Sequence, residues 1–178
     1  MSRRNRADFL EFAAAYRDQM RRTAYLLCGD PHRAADITQE ALIRLYVAWP
    51  RLDDHGLRSY ARRAVTSVAI DWSRKRSSHE APVETTPDSV RPDPTEQVAE
   101  RMVMLDALAK LAPRQRACVV LRYYEDLSVE EIAQTLGCST GTVKSQTARG
   151  LAALREAYGD AGDELVISTD SAKEVSSW

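Results

Sequence analysis

The stretch "SSHEAPVETTPDSVRPDP", which fills residues 77–95 almost to the end, does most to limit what this chain can fold into. It holds four of the chain's seven prolines and almost no large apolar residue. Such a composition cannot bury a core and reads as an extended linker. It divides the 178 residues into two small bodies, 1–76 and 96–156, followed by a tail over 157–178. Neither body contains alternating β-branched runs bounded by turns, so both are expected to be all-α, the second with a helix-turn-helix.

The first body shows its helices by spacing. Phe9, Phe12, Ala13, Tyr16, Met20, Ala24 and Leu27 recur every three or four residues, one face of a long helix that Gly29 should end. Asp30 and Pro31 then supply an N-cap and a first-turn proline for a second helix, closed by Pro50. A third helix is expected from about 57 to 76. Its apolar arc is Leu57, Tyr60, Ala61, Ala64, Val65, Val68 and Trp72, with Arg58, Arg62, Arg63, Thr66, Ser73 and Arg74 opposite.

In the second body Val98, Met102, Leu105, Leu108 and Leu111 mark one helix, and Pro113 opens another that carries Val120, Leu121 and Tyr124. Ser128 and Glu131 have the spacing of a capping box for a short helix that ends at Gly137. Ser139 caps the last helix. Ala133, Gly137 and Val143 then stand at the spacing of a helix-turn-helix, which needs a small residue at the crossing, a glycine in the turn and an aliphatic anchor on the second helix. Ile132 and Leu136 bury the first of these helices, and Val143, Leu151 and Leu154 the second.

On the last helix Thr142, Ser145, Gln146 and Arg149 project away from the apolar arc, and Lys144 lies at its margin. Short polar side chains and an amide suit base edges, while cations suit phosphates or guanine. A solvated helix face is the plain alternative, and the fully specified turn weighs against it. The third helix is basic as well, with six Lys or Arg against one acid over 58–76, which points to nucleic acid. Tyr60 and Trp72 lie on its apolar arc and read as core residues.

Charge follows the same division. Residues 1–78 carry 15 Lys and Arg against 9 Asp and Glu, a net of +6, while 156–178 carry 1 against 6, a net of −5. A polyanion therefore fits some faces and not others. Asp36 and Glu40 lie one helical turn apart in "ADITQE", with Gln39 beside them. No histidine or further carboxylate completes an acid/base or metal set, so a polar protein-docking face is the better reading. No catalytic residue, metal or cofactor is expected. Cys28, Cys118 and Cys138 are odd in number and widely spaced, and read as reduced core-type thiols. No run of 18 apolar residues crosses a membrane, and the basic N-terminus turns amphipathic without a signal-peptide stretch, so a cytoplasmic location is expected.

Three functional readings fit these features to different degrees: a dissociable two-part DNA reader, a homodimeric helix-turn-helix regulator, and a metal-dependent helical nuclease. The regulator needs a sensor domain or dimer seam, and the nuclease needs a ligand set.

Taken in order, the segments "RTAYLLCGDPHRAADITQEALIRLYVAW" (22–49), "RSYARRAVTSVAIDWSRKR" (58–76) and "LAPRQRACVVLRYYEDLSVEEIAQTLGCSTGTVKSQTARGLAALR" (111–155) resemble the extracytoplasmic-function (ECF) sigma factors of bacterial RNA polymerase, in their actinobacterial SigE-like branch. The resemblance implies a −10-binding domain that also docks core polymerase, and a −35-binding domain. It places Asp36, Gln39 and Glu40 against the coiled coil of the polymerase β′ subunit, with the β flap as a further polymerase contact. It assigns Asp53, Asp54, His55, Arg58, Arg62, Arg63, Thr66, Arg74, Lys75 and Arg76 to the opened −10 region, with a loop pocket for a flipped base. Arg114, Arg122, Ser139, Thr140, Thr142, Lys144, Ser145, Gln146 and Arg149 fall to the −35 duplex. The linker then threads the polymerase, and an anti-sigma protein is the family's usual regulator. Many relatives read "TVKSRLHRAR" where this chain has "TVKSQTARGL", so Gln146 and Thr147 leave the −35 base preference open. The acidic tail reads as solvated, with "LVI" and Trp178 allowing a docking or autoinhibitory strand instead.

Overall fold

The structure, a computed structural model, describes residues 5–79 and 96–158. The linker expectation over 80–95 and the tail expectations beyond 158 lie outside the described residues. Among those residues there are seven α-helices, one 3₁₀ turn and no strand.

Helix α1 spans Arg6–Cys28. Its start was not foreseen: the Asn5 side chain accepts from the Asp8 N–H at 3.0 Å while the Asn5 N–H donates to Asp8 at 2.9 Å, a reciprocal cap. Its end was foreseen. Gly29 takes φ 74° and its N–H donates to the Tyr25 carbonyl at 2.7 Å. Helix α2 spans Pro31–Ala48, with the Asp30 carboxylate accepting from the Arg33 N–H at 2.7 Å. A 3₁₀ turn at Trp49–Arg51 follows.

Helix α3 spans Leu57–His79, three residues beyond the expected end. No proline or glycine stands at 77–79 to stop it. The polar segment there is a helix end before it is a connector. Helix α4 spans Glu96–Lys110 and α5 spans Pro113–Tyr123. Helix α6 spans Val129–Leu136 and α7 spans Thr140–Tyr158.

Packing is where the structure goes beyond the helical pattern. Helices α1, α2 and α3 bury Met20, Ala24, Ile37, Leu45, Val65 and Val68 against one another. The same apolar cluster continues into the second body through Ala107, Leu108, Leu111, Ala117, Val119, Val120 and Leu154. A smaller cluster of Cys118, Leu121, Leu127, Ile132, Ala133 and Val143 joins α5 to the α6–α7 helix-turn-helix. Helix α1 touches α4 and α5, and α3 touches α5 and α6. The two bodies therefore share a seam.

Candidate nucleic-acid interface

The turn between α6 and α7 is built as its sequence requires. Ser128 Oγ accepts from the Glu131 N–H at 3.1 Å and the Ser128 N–H donates to Glu131 at 2.8 Å. Those bonds hold the Glu131 carboxyl below its usual range, the backbone bond to Ser128 contributing most. Gly137 takes φ 62° and its N–H donates to the Ala133 carbonyl. Val143 and Ile132 are fully buried, so the two helices are clamped at the spacing expected. Burial, with Cys138 nearby, pushes the Cys118 thiol up to about 11, so it stays protonated and packs as a small apolar group. All three cysteines are free.

Ser139 caps α7, its hydroxyl accepting from the Thr142 N–H at 3.1 Å and pairing with the Thr142 hydroxyl at 2.9 Å. Thr140, Lys144, Ser145 and Arg149 are exposed, and Thr142 and Gln146 are half-buried. Thr142, Ser145, Gln146 and Arg149 share one side of α7, and Thr140 and Lys144 lie at the margin of its apolar arc. Arg114 is exposed on the first turn of α5. Arg122 is exposed too, but its guanidinium donates to the Leu127 carbonyl at 2.6 Å, so it also ties α5 to the approach of α6.

The basic face of α3 is less simple. Arg58 is exposed and its guanidinium lies over the Tyr16 ring at 5.9 Å. Arg74 and Lys75 are exposed. Arg76 lies in α3, but its side chain is outside those described. Asp53, Asp54 and His55 are exposed in the loop before α3, where Asp53 accepts from the Gly56 N–H at 2.6 Å.

Two expectations need correction. Thr66 was placed on the solvent arc, yet its exposure is 0% and its hydroxyl has no hydrogen-bond partner. Trp72 was placed on the core arc, yet it is 37% exposed, with Arg33 over its ring at 6.0 Å. A helical wheel assumes one buried side. Helix α3 packs on α1 and α2 along one flank and on α5 and α6 along another, so its buried sector is wider and rotated towards Arg62 and Thr66. Arg62 is half-buried with its Nε unpartnered. Arg63 donates to the Gln134 carbonyl of α6 at 2.7 Å.

On α2, Asp36 and Gln39 are exposed. Glu40 accepts from Arg44 at 2.6 Å and from the Trp72 indole at 3.4 Å. Desolvation works against its charge, but the bonds from Trp72 and Arg44 outweigh it and hold the carboxyl below its usual range. Glu40 is therefore held ionised and paired with Arg44, beside the exposed Asp36 and Gln39. Among the described residues no group of three His, Cys, Asp or Glu is placed to hold a metal, and no helix is long and apolar enough to cross a membrane.

Comparison with known proteins falls on the same two helical segments. Residues 12–79 match the family model for sigma-70 region 2, and residues 101–154 match that for sigma-70 region 4. The RNA polymerase sigma-E factor of Streptomyces coelicolor is 43% identical over 150 residues, 84% of this chain and 85% of that protein. The chain belongs to the extracytoplasmic-function sigma factors. Within them it falls in the actinobacterial SigE-like branch. This sigma factor directs RNA polymerase to promoters, and the dimeric-regulator reading is not favoured. The more distant ECF sigma factor SigW of Bacillus subtilis is 30% identical over 167 residues, 85% of the chain and 89% of that protein. The sigma factor RpoE of Bartonella quintana, crystallised with the anti-sigma factor NepR, shares the fold at TM-score 0.68 and 23% identity, over 84% of this chain and 96% of that one. CnrH in complex with the cytosolic domain of CnrY does so at 0.62 and 19%, over 85% and 88%.

Proposed function

We propose that this sigma factor divides promoter reading between its two helical bodies. Residues 96–156 take the −35 duplex, with the N-terminal edge of α7 in the major groove. Thr142, Ser145, Gln146 and Arg149 face the bases, and Lys144, Arg114 and Arg122 the phosphates. Residues 1–76 take the −10 region, with Asp53, Asp54 and His55 around a flipped base and Arg58, Arg62, Arg63, Thr66, Arg74, Lys75 and Arg76 along the displaced strand. Asp36, Gln39 and Glu40 dock the β′ coiled coil of core polymerase, and residues 77–95 connect the two readers through the enzyme.

The observation that carries this reading is the juxtaposition on one molecule of an open polar and cationic side on α7 with the exposed Asp36 and Gln39 on α2. The first suits a polyanion, while the carboxylate and amide of the second suit a protein partner. The protein performs no chemistry of its own and works in the cytoplasm. An anti-sigma protein acts by covering these same faces, as a class of partner that structural relatives are crystallised with.

The docking face is tested by exchanging its charge. Asp36→Arg combined with Gln39→Ala should weaken binding to purified core polymerase at least tenfold, about 1.4 kcal/mol, with duplex −35 binding unchanged. Equal polymerase binding by the variant and the parent chain would remove this face from the docking site.

A further inference from the structure

The row of α7 that faces α5 is not uniformly apolar. Val143, Thr147, Gly150 and Leu154 fall within an arc of about 60° on the helix. Val143, Gly150 and Leu154 are buried, and Thr147 is half-buried. Val143 packs in the small cluster with Cys118 and Leu121, and Leu154 in the larger one with Ala117 and Val119. Between them the two helices come very close. A Cβ on Gly150 would stand 2.8 Å from Val119 Cγ2 and 3.6 Å from Gln115 Cβ, so α7 has no slack against α5 there. One turn back, the Thr147 hydroxyl donates to the Cys118 sulfur, opposing the burial that raises that thiol's pKa. A hydrogen bond has a direction that the contacts of Val143 and Leu154 lack, and a β-branched side chain has little freedom to follow it.

We infer that Thr147 is a specificity-determining position that does not touch DNA: its bond to Cys118, with the close approach at Gly150, fixes the roll of α7 on α5 and so decides which base edges Thr142, Ser145, Gln146 and Arg149 reach. Those four side chains lie roughly a third of a turn round the helix from the Thr147 row. They ride on the same rigid backbone, so a roll at the row moves all four together. At a radius of about 6 Å with side chains, a roll of about 10° displaces a tip by about 1 Å. The range of hydrogen-bond lengths is only about half of that. A roll small enough to leave the packing intact therefore changes which base edges are reached. Lys144 and Arg114, on long flexible stems, follow their phosphates through such a shift. Affinity and specificity thus separate, with Thr147 acting inwards and Gln146 outwards. This rests on the assignment of α7 to the −35 duplex proposed above.

The test offers holoenzyme made with the full chain a pool of promoter duplexes whose −35 block is randomised, and sequences the bound molecules. Thr147→Val keeps the side-chain shape and removes the hydroxyl. It should lower discrimination at one or two base pairs about fivefold, the lower end of what a bidentate base contact supplies. Its salt slope and helical circular dichroism should match those of the parent chain. Thr147→Ser keeps the hydroxyl and should keep the parent preference. Cys118→Ala should reproduce the Thr147→Val profile, and the double variant should lose no more than either single one. A Thr147→Val chain with the parent preference overturns the inference, as does one that binds every sequence more weakly by one factor, the mark of a merely structural residue. So does a double variant whose losses add, or a Thr147→Ser chain that behaves as Thr147→Val does. A parent holoenzyme with no preference across the −35 block counts instead against the assignment of α7 to that duplex, and that result is read before any variant is compared.

Discussion

Gly150 shows how far a single residue can set the geometry of the −35 reader. It is buried where α7 crosses α5, and a Cβ there would meet Val119 Cγ2 at 2.8 Å and the Gln115 carbonyl at 3.5 Å. Val119 is itself buried, so neither side has room to give. Gly150→Ala should cost about 1–3 kcal/mol through overpacking, read as a lower denaturant midpoint. Tyr16 is the other residue with a measurable consequence. Burial, helped by Glu125, pushes its phenol up to about 12 against the partly opposing charges of Arg62 and Arg58. Below the ordinary pKa of 10.0 both folded and unfolded chains keep the proton, and the contribution to stability is complete. As pH rises above that value the unfolded chain ionises first, so stability falls until the folded phenol titrates near 12. The unfolding free energy should therefore drop between those values by up to about 1.4 kcal/mol per pH unit. Tyr16→Phe should flatten that slope in chemical denaturation at several pH values. Thr66 marks the limit of reading single residues from sequence. Its position on a wheel is correct, but which sectors of that wheel are buried depends on helices distant in the sequence, α1, α5 and α6.

At the level of elements the sequence is far more informative. The α6–α7 turn was legible in full, because each of its requirements is local: Ser128 and Glu131 are three residues apart, and Gly137 must be left-handed for the chain to turn. The Asp30 cap and the Gly29 stop are local in the same way. The Asn5–Asp8 cap was equally local and was passed over because the apolar periodicity begins only at Phe9. The end of α3 is not legible in the same way, because polar composition alone does not break a helix where neither proline nor glycine enforces it. Base preference belongs to this scale too. In the proposed reading Gln146 pairs with a base edge and Lys144 with a phosphate. Lys144→Ala should weaken −35 binding by a similar factor on all sequences and reduce the salt slope by about 1. Gln146→Ala should instead flatten discrimination at one base pair, by about 1–3 kcal/mol, with the salt slope unchanged. Binding arrays of single-substituted −35 duplexes at two salt concentrations separate the two.

The molecule as a whole is the least legible scale, since nothing in the spacing of Gln19, Arg63, Arg116 or Glu125 announces that they meet. Their partners lie 71 to 106 residues away, and helical periodicity carries no information at that range. What the sequence does show is the plan: two helical bodies, with a basic first body and an acidic tail. Two weak readers held on one scaffold gain through effective concentration rather than through either contact. The central claim is that this chain alone confers promoter specificity on core polymerase. Transcription in vitro from total DNA of the host, with purified core polymerase and no other sigma factor, tests it most directly. The account predicts discrete transcript starts that share two short upstream sequence blocks, one matched to α7 and one to α3. Starts that arise only when a housekeeping sigma factor is added would contradict it.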